Sequence, residues 1–382
     1  MERLIRSTVS AGGENVGIEP HPVRARRNNG TRGPVVAVTG AASVLGRRVA
    51  QGLAARADVH RVIAVDRERG DVTGVTWRVI DLADPAVVTR LTGADVVVHA
   101  ALDLNITGDV PARSHRNVRG TQTVLTASAA AGVRHVVVVS SAMAYGAVED
   151  NPVPLDEDAP LRAPADGGLI SDLLEIEALC ARSRRAHPGM PVTVVRPATL
   201  VGPGIDTVLT RHFEAPRLLV LKGSVPTWQF CHIDDLASAL EFIALRQVDG
   251  PVAVASPGYL DQEEVEALSG LGRVELSSSF ATGTAGRLHR LGVIQAPVSE
   301  LQFVTHPWAV APNRLTAAGW QPEFTNELAL QALMELVTGR HALASRRIGR
   351  RGATATIGAA GATVAILGTA VVVRKARKRK RG

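Results

Sequence analysis

The chain has 382 residues, of which 46% are hydrophobic, enough to bury one large α/β core and a smaller lobe. Its net charge of +7 comes from the two ends: residues 1–33 hold six Lys or Arg against three Asp or Glu, and residues 340–382 hold twelve against none, which leaves −8 for residues 34–339. An acidic central part with 3% aromatic residues lacks the basic surface and the stacking side chains of a nucleic-acid binder, which argues against nucleic acid as a partner.

The first 33 residues contain GG, PHP and RARRNNG and no apolar run of signal-peptide length. This composition predicts a disordered basic N-terminus at 1–33 and a protein that folds in the cytoplasm. Cys180 and Cys231 lie in apolar stretches without CxxC spacing or histidines at ligand intervals. We therefore expect two buried thiols in a reducing compartment, and no metal site.

From Pro34 onward, Val-rich apolar runs alternate with Ala-rich or amphipathic stretches, which predicts an α/β fold with a doubly wound parallel sheet of the Rossmann type. Strands this apolar need helices on both faces, such as 116–132. We assign 34–202 to a dinucleotide-binding domain and 203–340 to a smaller C-terminal α/β substrate lobe interleaved with it. The predicted strands read VVAVT, VIAVD, TWRVI, DVVVHAA, HVVVVSS and VTVVRPA, and the lobe has elements at 229–245, 252–255 and 326–336.

The first strand runs into a turn of small residues, VVAVTGAASVLG at 35–46, and a helix follows. A pyrophosphate needs bare backbone amides at a helix N-terminus, so this turn predicts a dinucleotide site. Ser43 stands where the middle glycine of such turns is usual, and a tight turn in another doubly wound fold is the alternative. The predicted contacts are Gly40, Ser43, Val44, Leu45 and Gly46.

Asp66 is the last residue of the second apolar run. In dinucleotide-binding folds a carboxylate at this position accepts hydrogen bonds from the adenosine ribose, so we predict that role for Asp66. A 2′-phosphate beside it would be repelled, which favours NAD over NADP. Arg67, the next residue, weakens that preference.

Residues 353–373 form a stretch of 21 residues without a charge, between RRIGRR and RKARKRKRG. Its length suffices for a transmembrane helix. Only seven of the 21 are Ile, Val or Leu, and the nine residues that would be exported carry seven positive charges, which opposes the positive-inside tendency. A shallow association with anionic lipid fits as well, and a mobile helix with a solvated basic tail is the third alternative.

Over roughly 34–335 the motifs resemble those of an extended short-chain dehydrogenase/reductase of the NAD-dependent epimerase/dehydratase type. They are TGAASVLG at 39–46, Asp66, Asp81-Leu82, the run ending at Ala101, Asn117 in NVRGT, VSSAMAYG at 139–146, RPATLVGPG at 196–204 and FCHIDDLA at 230–237. The resemblance implies that Asp81 and Leu82 border the adenine. It also implies that His99, Ala100 and Ala101 form the ribose and phosphate wall, and that Pro197 to Thr199 meet the nicotinamide amide. It further implies a homodimer built through a four-helix face.

In such a family Ser141 stands at the catalytic Ser/Thr position, four residues before Tyr145, which would face the substrate. A strand-end serine bonded to backbone is the alternative. The family's YxxSK helix falls on Leu169-Ile170-Ser171-Asp172-Leu173. Leu169 and Leu173 therefore replace the tyrosine and lysine that move the alcohol proton and lower the tyrosine pKa. Asp172 is the nearest substitute, although a solvated helical aspartate is the simpler interpretation.

A second departure concerns the substrate, because Trp228 stands where nucleotide-sugar enzymes of this type carry an Arg for the diphosphate. Trp228 and the C-terminal segment suggest an apolar, membrane-derived substrate, and a nucleotide sugar remains the alternative. Arg211 and Lys222 are further candidates for an anion contact. The residues His232, Asp234 and Asp235 are expected to fasten the lobe onto the Rossmann domain.

Two functions follow from these patterns. The first is an epimerase/dehydratase-like oxidoreductase with weak or non-standard catalysis. The second is a membrane-associated NAD-binding pseudoenzyme that acts as a sensor or scaffold.

Overall fold

A computed structural model describes residues 33–104, 109–277, 298–338, 342–343 and 346–347 of the protein. The strands are β1 (Val35–Thr39), β2 (Arg61–Asp66), β3 (Thr76–Val79), β4 (Val96–His99), β5 (His135–Val139), β6 (Val192–Pro197), β7 (Thr199–Val201), β8 (Leu218–Leu221), β9 (Phe230–His232), β10 (Pro251–Val254), β11 (Arg273–Leu276), β12 (Ala342–Leu343) and β13 (Arg346–Arg347). The α-helices are α1 (Val44–Ala55), α2 (Val87–Leu91), α3 (Val110–Ser114), α4 (Gly120–Ala130), α5 (Leu169–Ala186), α6 (Val208–His212), α7 (Ile233–Arg246), α8 (Gln262–Ser269), α9 (Asn313–Ala318) and α10 (Asn326–Val337). A π-helical turn at His115–Arg119 joins α3 to α4, and 3₁₀ turns cover Ala142–Tyr145 and Val298–Val304.

Seven strands form one sheet in the order β10-β6-β5-β4-β1-β2-β3, and every pair in it is parallel. The six apolar runs of the sequence are strands β1 to β6, so the predicted Rossmann-type α/β sheet is confirmed. The seventh strand, β10, comes from the stretch assigned to the substrate lobe. The sheet is therefore completed by residues well beyond 202.

Side chains of each strand alternate between two buried clusters, one on each face of the sheet. In β1, Val36 and Val38 pack with residues of α1 and α7, whereas Val35 and Ala37 pack with residues of α2, α4 and α5. This alternation follows from the two-residue period of a strand. Helices on both faces explain why these strands are apolar throughout.

The strand order reverses between β1 and β4, which lie side by side. The strand after β1 continues toward one edge of the sheet, and the strand after β4 continues toward the other. In doubly wound sheets the crevice at the carboxyl ends of such a pair is the usual ligand site. A ligand site is therefore expected at the loops that follow β1 and β4.

Two parallel two-stranded ladders lie outside the main sheet: β8–β11 falls within the stretch predicted as the lobe, and β7–β9 joins that stretch to the residues just before it. Asp234 at the start of α7 forms a salt bridge with Arg48 of α1, 2.7 Å from Asp234 Oδ1 to Arg48 Nε. Asp235 accepts hydrogen bonds from the backbone amides of Glu323 and Phe324, and the His232 ring stacks on Phe324. These contacts join β9 and α7 to both the sheet helices and the segment before α10.

Two predictions fall on segments outside the described residues. One is the disorder of the N-terminus, since residues 1–32 are not described. The other is the membrane association of the apolar stretch 353–373. In the part of the chain that is described, no helix combines the length and apolar character that crossing a bilayer requires.

Candidate functional site

A cavity of about 750 Å³ opens beside the carboxyl ends of the central strands. Thirteen of the predicted site residues line it: Gly40, Ser43, Val44, Leu45, Asp66, Arg67, Asp81, Leu82, Ala100, Ala101, Ser141, Pro197 and Thr199. They come from the carboxyl ends of strands β1 to β6 and the segments after them. The parallel sheet therefore brings together motifs that are up to 159 residues apart in the sequence.

The turn after β1 has no room for side chains. Gly40 adopts a φ of +78°, and a Cβ atom on it would lie 2.7 Å from the Cα of Ala101. Gly46 does not line the cavity itself, but a Cβ on it would lie 2.0 Å from the carbonyl oxygen of Gly40. The backbones of the turn, of α1 and of the loop after β4 thus touch directly, as a pyrophosphate-binding turn requires.

Helix α1 begins at this turn. Ser43 is its N-cap, and its Oγ accepts a hydrogen bond of 3.0 Å from the amide of Gly46. The amides of Val44 and Leu45 have no intrahelical acceptor at this position, and both residues line the cavity. The partial positive charge of a helix N-terminus therefore lies next to the cavity, where it suits a phosphate group.

Asp66 ends β2 at the rim of the cavity. Its two carboxylate oxygens accept hydrogen bonds from the amides of Ala42, at 2.9 Å, and Arg67, at 2.7 Å. These two bonds hold the carboxylate in one orientation. The remaining lone pairs of both oxygens are available for hydroxyl donors such as those of a ribose.

His99 and Asn117 lie behind the cavity wall and do not line it. The ring nitrogens of His99 bond to the hydroxyls of Thr39 and Thr121, and burial lowers the pKa of His99 to about 4. Asn117 bonds to both the amide and the carbonyl of Asp103. The prediction that these two residues bind the cofactor is therefore corrected: Asn117 holds the loop 100–104 that forms the wall, and His99 links β1 to α4.

Two serines follow β5 at the cavity. Ser141 Oγ accepts a hydrogen bond of 3.2 Å from the amide of Met143, so it caps the 3₁₀ turn as the structural alternative predicted, while it also lines the cavity. Ser140 also belongs to the cavity lining, but its hydroxyl is buried and has no hydrogen-bond partner among the described residues. Of the two serines, Ser141 is the candidate for a ligand contact.

Tyr145 is buried away from the cavity. Its hydroxyl donates to the carbonyl of Glu157 at 2.8 Å and accepts from Arg196 Nη1 at 2.7 Å. Arg196 in turn forms a bidentate pair with Glu177, at 2.8 and 2.7 Å. The predicted contact of Tyr145 with a substrate is wrong, because its hydroxyl already belongs to this buried cluster.

The first turn of α5 presents an apolar side chain to the cavity. Leu169 lines it, whereas Leu173 is fully buried in the core. Asp172 is also buried, with its Oδ2 3.4 Å from Arg113 Nε and 3.3 Å from Asn117 Nδ2. Neither expectation for Asp172 holds, because it is not solvated and does not line the cavity.

Three residues predicted to contact the substrate, Trp228, Arg211 and Lys222, do not line the cavity. Trp228 is 2% exposed, stacks on His212, and donates its indole N–H to Gln262 at 2.9 Å. Arg211 is buried in a bidentate pair with Asp206, at 2.7 and 2.8 Å. Neither Trp228 nor Arg211 lines the cavity, so both predicted substrate contacts are corrected to core packing and a structural ion pair. Lys222 is exposed and lies outside the cavity lining.

The cavity lining also includes residues outside the sequence motifs, among them Trp308, Arg116 and Glu300. Trp308 supplies the aromatic surface that Trp228 does not, and its indole N–H donates to the carbonyl of Phe303 at 3.0 Å. Arg116 lines the loop side and pairs with Asp103 at 2.7 Å. Glu300 also lines the cavity, and burial together with the charge of Asp166 raises its pKa to about 7. Sequence reasoning missed Glu300 because no spacing relates it to the strand-end motifs.

Comparison with known proteins agrees with this architecture. A model of the NAD dependent epimerase/dehydratase family matches residues 36–254. One curated relative is the uncharacterized protein Rv0501 of Mycobacterium tuberculosis, 33% identical over 240 residues, which are 59% of this chain and 63% of that protein. Another is the 3-diazoavenalumate denitrifying reductase of a Streptomyces species, 32% identical over 221 residues, with coverage of 53% and 70%. The match to Rv0501 thus spans less than two thirds of that relative's length.

Solved structures share the fold at lower identity. The crystal structure of gox2253 matches with a TM-score of 0.62 and 20% identity, over 80% of this chain and 98% of that one. MoeE5, in complex with UDP-glucuronic acid and NAD, matches with a TM-score of 0.59 and 23% identity, over 80% and 99%.

We predict that Gly46→Ala disrupts the turn, because the new Cβ would lie 2.0 Å from the Gly40 carbonyl oxygen. Overpacking of this kind costs about 1–3 kcal/mol of unfolding free energy, and it would displace the amides at the start of α1. Thermal unfolding and NADH binding by fluorescence measure both effects. Gly189→Ala is the control, since a Cβ there meets nothing within 4 Å. Wild-type affinity and stability in Gly46→Ala would contradict the role given to this turn.

Proposed function

Because the chain belongs to the NAD dependent epimerase/dehydratase family, we propose that its cavity binds NAD and a small-molecule substrate and that the protein is an oxidoreductase with non-standard catalysis. The observation that carries this proposal is one continuous cavity lined both by the glycine turn with Asp66 and by Ser141, Leu169 and Trp308. A cofactor end and a substrate end within one cavity are what hydride transfer requires.

The residues present fit a dinucleotide. The side-chain-free junction at Gly40 and Gly46 leaves space for backbone amides to approach a pyrophosphate. Asp66 would accept hydrogen bonds from the adenosine ribose, and Asp81 and Leu82 would border the adenine. Pro197 and Thr199 would meet the nicotinamide amide. Bound NAD would supply the acceptor or donor of a hydride.

NAD fits this site better than NADP. Both oxygens of Asp66 are oriented by backbone amides at the cavity rim, where a 2′-phosphate would be repelled. Arg67 also lines the cavity, so its charge reduces this preference without reversing it.

The substrate end favours an apolar molecule. Leu104, Met143, Leu169, Leu209 and Trp308 all line the cavity. Arg116, paired with Asp103, is the cation best placed to accept a substrate anion. A nucleotide sugar is the second candidate substrate, supported by the fold shared with MoeE5, which binds UDP-glucuronic acid.

The rival proposal is an NAD-binding pseudoenzyme that acts as a sensor or scaffold. It is supported by Leu169, which the sequence motifs predict at the family's tyrosine position and which has no proton to transfer. Conversion of bound NAD to NADH by a candidate substrate would exclude it. A homodimer through a four-helix face stays a prediction from the family resemblance.

We predict that Asp66→Ala weakens NADH binding about 10- to 100-fold, since the loss of hydrogen bonds to a charged acceptor costs about 1.5–3 kcal/mol. The affinity for NADPH should fall less, because a repelling charge is removed at the same time. Fluorescence titration of both nucleotides measures the change. Asp71→Ala is the control, because Asp71 is exposed and pairs only with Arg47 among the described contacts. Equal affinities in Asp66→Ala and wild type would refute the assignment.

We predict that Leu169→Tyr raises turnover about 10² to 10⁴-fold if no other group in the cavity exchanges the substrate proton, because it adds a positioned general acid/base. Adding Leu173→Lys should destabilise the protein, since Leu173 is fully buried in the core and a buried ammonium is costly. Leu174→Tyr on the same helix, outside the cavity lining, is the control. Turnover that is undetectable in both wild type and Leu169→Tyr, with intact NADH binding, would favour the pseudoenzyme.

We further propose that residues 353–373, charge-free between basic flanks, hold the cytoplasmic domain at a membrane by spanning it or lying on it. The expected result is that full-length protein fractionates with membranes, whereas a chain that ends at Ser345 remains in the supernatant. Recovery of both proteins in the supernatant would contradict the proposal that residues 353–373 anchor the protein to a membrane.

A further inference from the structure

Glu300 is the most unusual ionisable group in the cavity. Its residue surface is 3% exposed, yet it lines the cavity wall. No hydrogen bond from the described residues reaches its carboxyl group, unlike the buried carboxylates of Asp172 and Glu177. A buried carboxyl without a protein partner is costly unless it is neutral or meets a ligand.

The electrostatic neighbours of Glu300 show where on the wall it lies. They are Asp166, just before α5, and Arg113, whose Nε is 3.4 Å from Asp172 on the first turn of α5. Leu169, on that helix turn, lines the same cavity as Glu300. An ionisable group thus faces the same space as the side chain that the motifs align with the family's tyrosine.

We propose that Glu300 is a catalytic residue, whose carboxyl group exchanges a proton with the reacting oxygen of the substrate in place of that tyrosine. This inference depends on the proposed oxidoreductase function.

The proton step balances within the cavity. When the substrate is an alcohol, its O–H bond breaks, the proton moves to a carboxylate oxygen of Glu300, and the electron pair stays on the substrate oxygen. In the opposite direction the protonated carboxyl returns the proton to that oxygen. The hydride that accompanies either direction requires a bound nicotinamide cofactor, and Ser141 can hydrogen-bond the same oxygen.

The surroundings of Glu300 allow its protonated and ionised forms to be populated together near neutral pH. Burial and the negative charge of Asp166 raise its pKa to about 7, while the positive charge of Arg113 opposes that rise. A general acid/base works best when its pKa is close to the working pH. Other charged or titratable groups surround Glu300. Those in the cavity lining are Asp66, Arg67, Asp81, Asp103, His115, Arg116 and Asp206. Helix α6, which packs against the 3₁₀ turn of Glu300, adds Arg211 and His212.

Glu300→Gln tests the proposal, because glutamine has the shape of the neutral carboxyl and cannot exchange that proton. Glu241→Gln is the matched control. Glu241 lies on α7, outside the cavity lining, and burial raises its pKa to about 7 as well. The full-length wild type and both variants are compared in NADH binding, in infrared titration of protonated carboxyl groups, and in turnover of UDP-glucuronic acid and a long-chain secondary alcohol.

We expect all three proteins to bind NADH alike and each variant to lose one protonated-carboxyl band that titrates near pH 7. Turnover should fall about 10² to 10⁴-fold in Glu300→Gln only. For alcohol oxidation the wild-type rate should rise as the pH passes through about 7, because the ionised carboxylate is the base. Glu241→Gln should keep that profile.

The outcomes separate the two proposals. If NADH binds to all three proteins but Glu300→Gln keeps the wild-type rate and pH profile, the role of Glu300 is overturned and the oxidoreductase proposal survives. An unchanged infrared titration in Glu300→Gln also overturns it. If NADH binds to none of the three proteins, the oxidoreductase proposal fails, and the role of Glu300 fails with it.

Discussion

Direct backbone contact at the turn after β1 is the constraint on which the cavity depends. The carbonyl of Gly40, the first turn of α1 and the loop at Ala101 approach so closely that a single methyl group at Gly40 or Gly46 would overlap with main-chain atoms. The positive φ of Gly40 adds a conformational requirement that side chains rarely meet. Because of this contact, the helix N-terminus, the end of β2 and the end of β4 meet at one place.

Two buried clusters of charged groups lie behind the cavity wall. Arg196, Glu177 and the Tyr145 hydroxyl form one buried cluster, and Arg113 and Asp172 form another. Each is a buried pair whose removal on one side would leave an uncompensated charge. The cavity lining near Leu169 and Trp308 also includes the apolar residues Met143 and Leu209, and Glu300 is a buried carboxyl in the same lining.

The sequence predicted the sheet well because strand periodicity and strand-end motifs are local signals. Val36 to Val38 and the turn at Gly40 could be assigned from neighbouring residues alone, and Asp66 from its distance to that turn. Tyr145 and Trp228 were misjudged because their environment is set by distant partners: Glu157 and Arg196 for the tyrosine, Gln262 for the tryptophan. Glu300 and Trp308 line the cavity because of how the chain after β11 folds back onto it. No fixed sequence spacing relates them to the strand-end motifs, so the sequence could not reveal them.

Asn117 connects the two ends of the cavity. Its amide oxygen and nitrogen hold the backbone of Asp103, on the loop that forms the wall, and its nitrogen also lies 3.3 Å from Asp172 at the start of α5. A displacement of residue 103 must therefore be followed by the start of α5 or break buried hydrogen bonds, at about 1 kcal/mol each. One side chain therefore links the wall loop to the start of α5, and we expect a ligand that displaces either of them to alter the position of the other.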